Sequence, residues 1–426
     1  FNLRGGLRLF DFNLSGRAKE GGSPFADSYQ FTASGLGGDP FPAGQLSVSK
    51  AHVYDLRANY HQSYYAWNRN DHAALPTGLN GLTSNHNFST VRKYGSVNLL
   101  IHATNRLKFR FEGGRNGRDG MNDTTRTLDY FGSVSAWAPF LRDNPYYVQA
   151  PLHEVSNRFS GGVDYSLDDW SFHYTLGYQT FDQSMLFSNP GPERSINVDS
   201  KANVNEILNV ASWSEARTLR TPSSEFFYNG ALTSRVTLRG DFIFTRYRGP
   251  ASMDASFSGL SRAGSSVAPY SIAMNSRNQL TEPSYVVDQG GTVKIKDWLN
   301  LNVDYRFNRF TEHAEADTRS LFNSTPFSGV SSEDWSQDLH QLDLNLEFTP
   351  ASALVLRTGI RLMKRDTTAI VDGVTDHTRS QNLNTVSPTV SFAYIPSRKF
   401  SVRADLQSIT NGSSYTRITP HTDVGT

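Results

Sequence analysis

Few residues in this chain are spaced for chemistry. Ser47-Val48-Ser49-Lys50 matches Ser-x-x-Lys, in which a lysine amine could activate a serine hydroxyl, but it lies on a strand pattern with no second motif. His102 and His173 each stand alone, and a lone histidine is far more often a hydrogen-bonding residue than a metal ligand. No His-Glu-x-x-His zinc pattern occurs. Asp119, Asn122 and Asp123 carry the oxygen ligands that calcium takes, in a turn-rich stretch that produces such clusters by chance. Gly35-Leu36-Gly37-Gly38-Asp39-Pro40 lacks the Lys-Ser/Thr of a phosphate loop, and no helix pattern continues it, so it reads as a turn. The expectation is no enzyme, no cofactor and no metal site.

The elements around these residues say more. In Trp170 to Gln179, Trp170, Phe172, Tyr174, Leu176 and Tyr178 alternate with Ser171, His173, Thr175, Gly177 and Gln179. Strand side chains switch faces at every residue, so one face is apolar and aromatic and the other polar. About ten such residues, tilted near 40°, span about 25 Å, the height of the apolar band of an outer-membrane barrel. The pattern recurs at Leu107-Phe109-Phe111, Val236-Leu238-Gly240-Phe242, Leu299 to Phe307, Leu342 to Phe348, Leu354 to Leu362 and Phe400 to Leu406.

Composition agrees. Hydrophobic residues make up 37% of the 426 residues, and no apolar run approaches the ~20 that a spanning helix needs. A barrel strand needs an apolar residue only at every second position. Aromatics reach 12%, which suits lipid-facing strands. The absence of cysteine removes disulfides, thiolate metal sites and covalent haem attachment from this chain. A net charge of +1 gives no argument for a nucleic-acid partner.

The expected fold is therefore all-β: a large antiparallel transmembrane β-barrel with about 16 strands visible, a single domain over 1–426 in the outer membrane of a Gram-negative bacterium. Short periplasmic turns are expected near 104, 168, 233, 296, 351 and 397. Long extracellular loops are expected at 65–96, 114–158, 182–225, 248–286, 312–338 and 366–386. Counting strand directions back from these turns makes the first strand run inward from outside. An outward strand should precede it, so the chain reads as part of a larger barrel, cut at both ends.

The polar face carries full charges in mid-strand, and in a barrel that face is the lumen. Lys108, Arg110, Arg235, Arg239, Arg306, Arg357, Arg361 and Arg403 stand with Glu112, Asp241, Asp304, Asp343, Glu347 and Asp405, and His173 joins them. The signs interleave, whereas a strongly selective pore concentrates one sign along the path. This predicts a hydrated, weakly selective lumen, or one that contacts a polar plug or partner.

Gly35 to Pro40, Val53-Tyr54-Asp55-Leu56-Arg57-Ala58-Asn59-Tyr60, His340 to Leu344, Phe348-Thr349-Pro350, Phe400 to Arg403 and Ile409 to Gly412 give the chain a resemblance. It resembles outer-membrane β-barrel proteins of the MtrB/PioB type, and more closely the large barrels of acidobacterial genomes. The resemblance implies an insulating scaffold without a redox group of its own, sheathing a periplasmic multihaem cytochrome for extracellular electron transfer. The N-terminal Cys motif of that family is not in this chain. The partners expected are outer-membrane lipid, small solutes, and a cytochrome or other lumen-filling chain. A general or substrate-specific porin and a surface-interaction protein using its long loops are the alternatives. A TonB-dependent transporter ranks behind them, because no plug domain is visible.

Leu301 lies on the apolar face and Asn302 on the polar one. Leu301→Arg is expected to cost about 2–4 kcal/mol or to block insertion, and Asn302→Arg to be mild. Urea titration of both variants in bilayers checks this, and equal effects would refute the assignment of faces.

Overall fold

Strands can satisfy their backbone groups only against neighbouring strands, and here each does so against the next in sequence. The computed structural model describes residues 8–19, 22–37, 39–69, 86–129, 143–188, 193–194, 207–263 and 266–415. The strands are β1 (Leu9–Arg17), β2 (Ser28–Leu36), β3 (Ala43–Lys50), β4 (Tyr54–Arg69), β5 (His86–His102), β6 (Leu107–Asp129) and β7 (Asp143–Ser166). They continue with β8 (Trp170–Ser188), β9 (Glu193–Arg194), β10 (Ile207–Thr233), β11 (Val236–Ala263), β12 (Ser266–Lys296) and β13 (Leu299–Phe322). The remainder are β14 (Thr325–Ala351), β15 (Leu354–Val371), β16 (Val374–Thr375), β17 (Gln381–Ser397), β18 (Phe400–Gln407) and β19 (Thr410–Tyr415). Three are continuations: β9 extends β8 along β10, β16 extends β17 along β15, and β19 extends β18 along β17. Joined to the strands they extend, the 19 segments make sixteen strands of one antiparallel up-and-down sheet.

One face of this sheet is apolar from strand to strand. Tyr174 stands opposite Val163 and Phe226, Phe226 opposite Phe242, Phe242 opposite Val287, and Val287 opposite Phe307. Lower down, Val293, Leu301 and Leu346 face one another in register. These side chains lie open: Phe159 is 57% and Leu176 53% exposed. Only eight hydrophobic residues are buried among the described residues, which excludes a dry core between two stacked sheets. A wall of strands with one hydrocarbon-compatible face is the build of an outer-membrane β-barrel.

The tight turns leave one rim, at 103–106, 167–169, 234–235, 297–298, 352–353 and 398–399. At the other rim the expectation of long loops is overturned wherever the residues are described. All 28 residues of β11 pair with β12, through most of 248–286. The 312–338 stretch is the β13–β14 hairpin, closed by Asn323-Ser324 at φ 44° and 73°. Within 366–386, β15 turns at Asp372-Gly373, whose φ values of 50° and 77° suit a two-residue hairpin. The 114–158 and 182–225 stretches are strand over 114–129, 143–158, 182–188 and 207–225, and 65–96 is strand at 65–69 and 86–96. The centres of those three stretches lie outside the described residues. The physical reason is that both faces become polar above the membrane, as in Glu312 to Ser320, while the backbone ladder continues. A tilted 28-residue strand is about 70 Å tall, far more than the ~25 Å apolar band, so the hairpins stand well above the membrane.

A short turn at 376–380 joins β16 to β17 and is held by Asp376. Its Oδ1 accepts from the Thr378 hydroxyl at 2.5 Å and the Thr378 N–H at 2.9 Å, and its Oδ2 from Arg379 Nε at 2.6 Å. The Thr378 hydroxyl, then Arg379, hold this carboxyl well below the ordinary value of 3.8. A lowered folded-state value means the contribution is complete above 3.8 and fades as pH falls through the lower folded value. Protection of the Thr378 amide, measured by hydrogen exchange against the intrinsic rate at each pH, should therefore persist at pH 3.8 and be lost only at more acidic pH; loss of protection already near pH 5 would contradict it.

Candidate functional site

Register decides which charges meet on the second face. Lys108, Asp164, His173, Phe227, Asp241, Asp288, Arg306 and Gln341 follow one another in direct register from β6 to β14. Arg239, Gly290, Asp304, Asp343 and Arg361 form the neighbouring row. Lys294, Asn300, Glu347, Arg357, Ser391 and Asp405 form a third. Arg110, Glu112 and Arg403 fall on the same face by alternation. Arg235 does not: it lies in the two-residue turn between β10 and β11, because Thr233 pairs directly with Val236. The sequence pattern had counted it as the first strand position.

Most of the charges at the centre of this face are paired with opposite ones. Arg110 pairs with Asp164 at 2.9 Å, and His173 Nδ1 donates to the same Asp164 oxygen at 2.8 Å. Arg306 pairs with Asp288 at 2.6 Å, Arg361 with Asp343 at 2.7 Å and Arg357 with Glu347 at 2.6 Å. Arg239 pairs with Asp304 across the intervening strand. His102 pairs with Asp55 at 3.2 Å near the turn rim. Lys108, Glu112, Arg403 and Asp405 form no ion pair among the described residues. Half-exposed pairs of this kind each contribute about 1 kcal/mol or less, so their main effect is on the field inside the wall.

Arg239 reaches Asp304 because Gly290 stands between them. A Cβ there would collide with Asp304 Oδ1 and lie 2.8 Å from Arg239 Nε. Gly162 does the same for Arg110, whose guanidinium donates to Thr175 Oγ1 at 3.4 Å two strands away. A cleft of about 420 Å³ results, walled by Arg239, Arg306 and Arg361 with Asp241, Asp288, Asp304 and Asp343. The fourth acid is Asp241, whose Oδ1 is shielded from solvent without a hydrogen-bond partner.

Sequence reading missed Asp164 and Asp288, the partners of Arg110 and Arg306. Each lies two residues from a glycine pair, Gly161-Gly162 or Gly290-Gly291, which blurs the alternation. The face is also not polar throughout. High on it, Phe187 stacks on Trp213 at 4.2 Å, packed with Ala150, Ala255, Met185 and Met253. The calcium cluster does not form as a loop: Asp119 lies in β6 and accepts from His153 Nδ1 at 2.5 Å, while the side chains of Asn122 and Asp123 lie outside the described residues. The Ser47–Lys50 segment is strand β3, and the Lys50 ammonium donates to the Pro24 carbonyl at 2.6 Å. Gly35 and Gly37, at φ 65° and 88°, end β2 in a turn.

No family model and no curated protein matches the chain. Among solved structures it is similar to the outer membrane transporter YddB from Escherichia coli, with a TM-score of 0.33 and 6% identity over 92% of this chain and 69% of that one. It is similar to the open form of the ferric-catecholate import receptor Fiu from E. coli K12, with a TM-score of 0.32 and 9% identity over 96% and 76%. The unliganded ferric citrate transporter FecA gives 0.30 and 9% over 95% and 75%. The fold assignment rests on the sheet itself.

Gly290→Ala is expected to separate Arg239 from Asp304 and to overpack the wall, lowering stability by about 1–3 kcal/mol. Urea unfolding followed by tryptophan fluorescence checks it; an unchanged midpoint would show that the strands yield freely at this position.

Proposed function

We propose that the chain is the wall of an outer-membrane barrel acting as a passive, weakly selective conduit, with the charged face turned to the lumen. The observation that carries this is the pairing of opposite charges along that face, from Arg110–Asp164 to Arg357–Glu347. Paired charges keep a lumen wet without a field of one sign along it. β1 pairs only with β2, and β18 and β19 only with β17, among the described residues. Lipid-exposed sheet edges do not occur in a bilayer, so the conduit closes with further strands.

The tall hairpins support a second reading, in which the wall sheaths a lumen-filling chain. The MtrB/PioB resemblance makes that chain a multihaem cytochrome and the protein an insulating scaffold for extracellular electron transfer. The same hairpins also offer surface for a partner outside the cell.

The protein extracted from its native membrane and placed in planar bilayers should conduct ohmically, with a reversal potential near zero in a potassium chloride gradient. Asp304→Asn with Asp343→Asn leaves Arg239 and Arg361 without partners and should shift that potential toward anions. Absence of conductance, with a haem absorbance band in the purified material, would replace the porin by the sheath. Strong selectivity of the unmodified protein would overturn the neutral-lumen argument.

A further inference from the structure

The apolar face ends upward in the same way on many strands. Going up from the tight-turn rim, the first charged outward residue is Lys93 on β5, Arg115 on β6, Arg220 on β10, Arg246 on β11, Arg309 on β13 and Lys364 on β15. Below this level the outward positions of β13 from Leu299 to Phe307 and of β15 from Leu354 to Leu362 carry no charge. At the opposite boundary Tyr165, Trp170 and Tyr394 occupy the outward face instead. The outward acids lie level with these cations or above them, and pair with some: Asp338 with Arg309 at 3.7 Å, Asp182 with Arg220 at 3.2 Å and Asp366 with Lys364 at 2.8 Å. Lys93, Arg115 and Arg246 form no ion pair among the described residues. A cation at the top of a hydrocarbon-facing strand sits at headgroup depth, where its counter-ion is a lipid phosphate.

Two of these free cations stand over a hollow in the same face. Arg115 is opposite Gly95, and Lys93 lies two residues above Gly95, so the two are diagonal neighbours about 7–8 Å apart. Beneath them a depression of about 750 Å³ opens where Ala33, Gly44, Ala58, Gly95 and Gly113 carry little or no side chain. Phe31, Leu46, Val97 and Phe159 form its apolar margins. It is wide enough for an acyl chain and offers two charges above it.

We infer that this hollow seats a multiply phosphorylated lipid of the leaflet from which the hairpins project, its acyl chain among the small residues and its phosphates on Lys93 and Arg115. The inference rests on the outer-membrane reading. A single zwitterionic headgroup would leave one of the two cations without a counter-charge, whereas a lipid with two phosphates satisfies both.

The test is lipid retention by native mass spectrometry, after reconstitution in nanodiscs holding diphosphoryl lipid A and phosphatidylglycerol in equal amounts. The unmodified protein should retain lipid A over phosphatidylglycerol. Lys93→Gln with Arg115→Gln should lower that retention about tenfold or more, and Ala58→Leu, which fills the hollow without touching the charges, should also lower it. Arg398→Gln with Lys399→Gln removes the same charge at the opposite rim and should leave it unchanged. Equal retention of the two lipids, equal loss in both double variants, or unchanged retention in Ala58→Leu would each overturn the inference. Failure of the unmodified protein to enter a bilayer would instead remove the outer-membrane reading on which it stands.

Discussion

The constraint behind this structure is that hydrocarbon accepts no unpaired backbone group. Each strand must give its N–H and C=O groups to two neighbours, and its side chains then divide between the two faces. In this chain that division sets aromatic and aliphatic rows against ion-paired rows. Tyr174, Phe226, Phe242 and Val287 are placed by the same ladder that places His173, Phe227, Asp241 and Asp288 one residue away. A slip of one residue would exchange the two sets, so the lipid face and the charged face stabilise one register together.

Glycine has a particular use in such a wall. A direct neighbour across the ladder is always within reach, but a residue two strands away is blocked by the side chain between. Gly290 removes that block for Arg239 and Asp304, and Gly240 removes it on the apolar face, where the Tyr228 hydroxyl meets Gln289. The charge network therefore crosses the sheet in steps of two strands as well as one, which ties the cleft around Asp304 together laterally. The outward face has its own gradation, from rings at the turn rim through aliphatic residues to cations, and then to mixed charges on the tall hairpins.

The sequence by itself determined the fold class and most of the two faces. Unbroken alternation in Trp170 to Gln179 and Leu299 to Asn308 exists only because one face meets lipid, and a period of two cannot be produced by a helix. Turn residues such as Asp168-Asp169 and Ser397-Arg398 mark hairpin ends locally, so they too could be read without coordinates. Fourteen of the fifteen residues that alternation assigns to the polar face share one face of the sheet; Arg235 falls in a turn, since alternation does not say where a strand begins. Only the tertiary structure decided how far the strands run and which charges meet. Above the membrane both faces are polar, so β11 and β12 lose their signal while their ladder continues, and even Asp372-Gly373 was hidden within what read as a loop. Asp164 and Asp288 come to Arg110 and Arg306 through inter-strand register, which couples residues far apart in the chain and leaves no local trace.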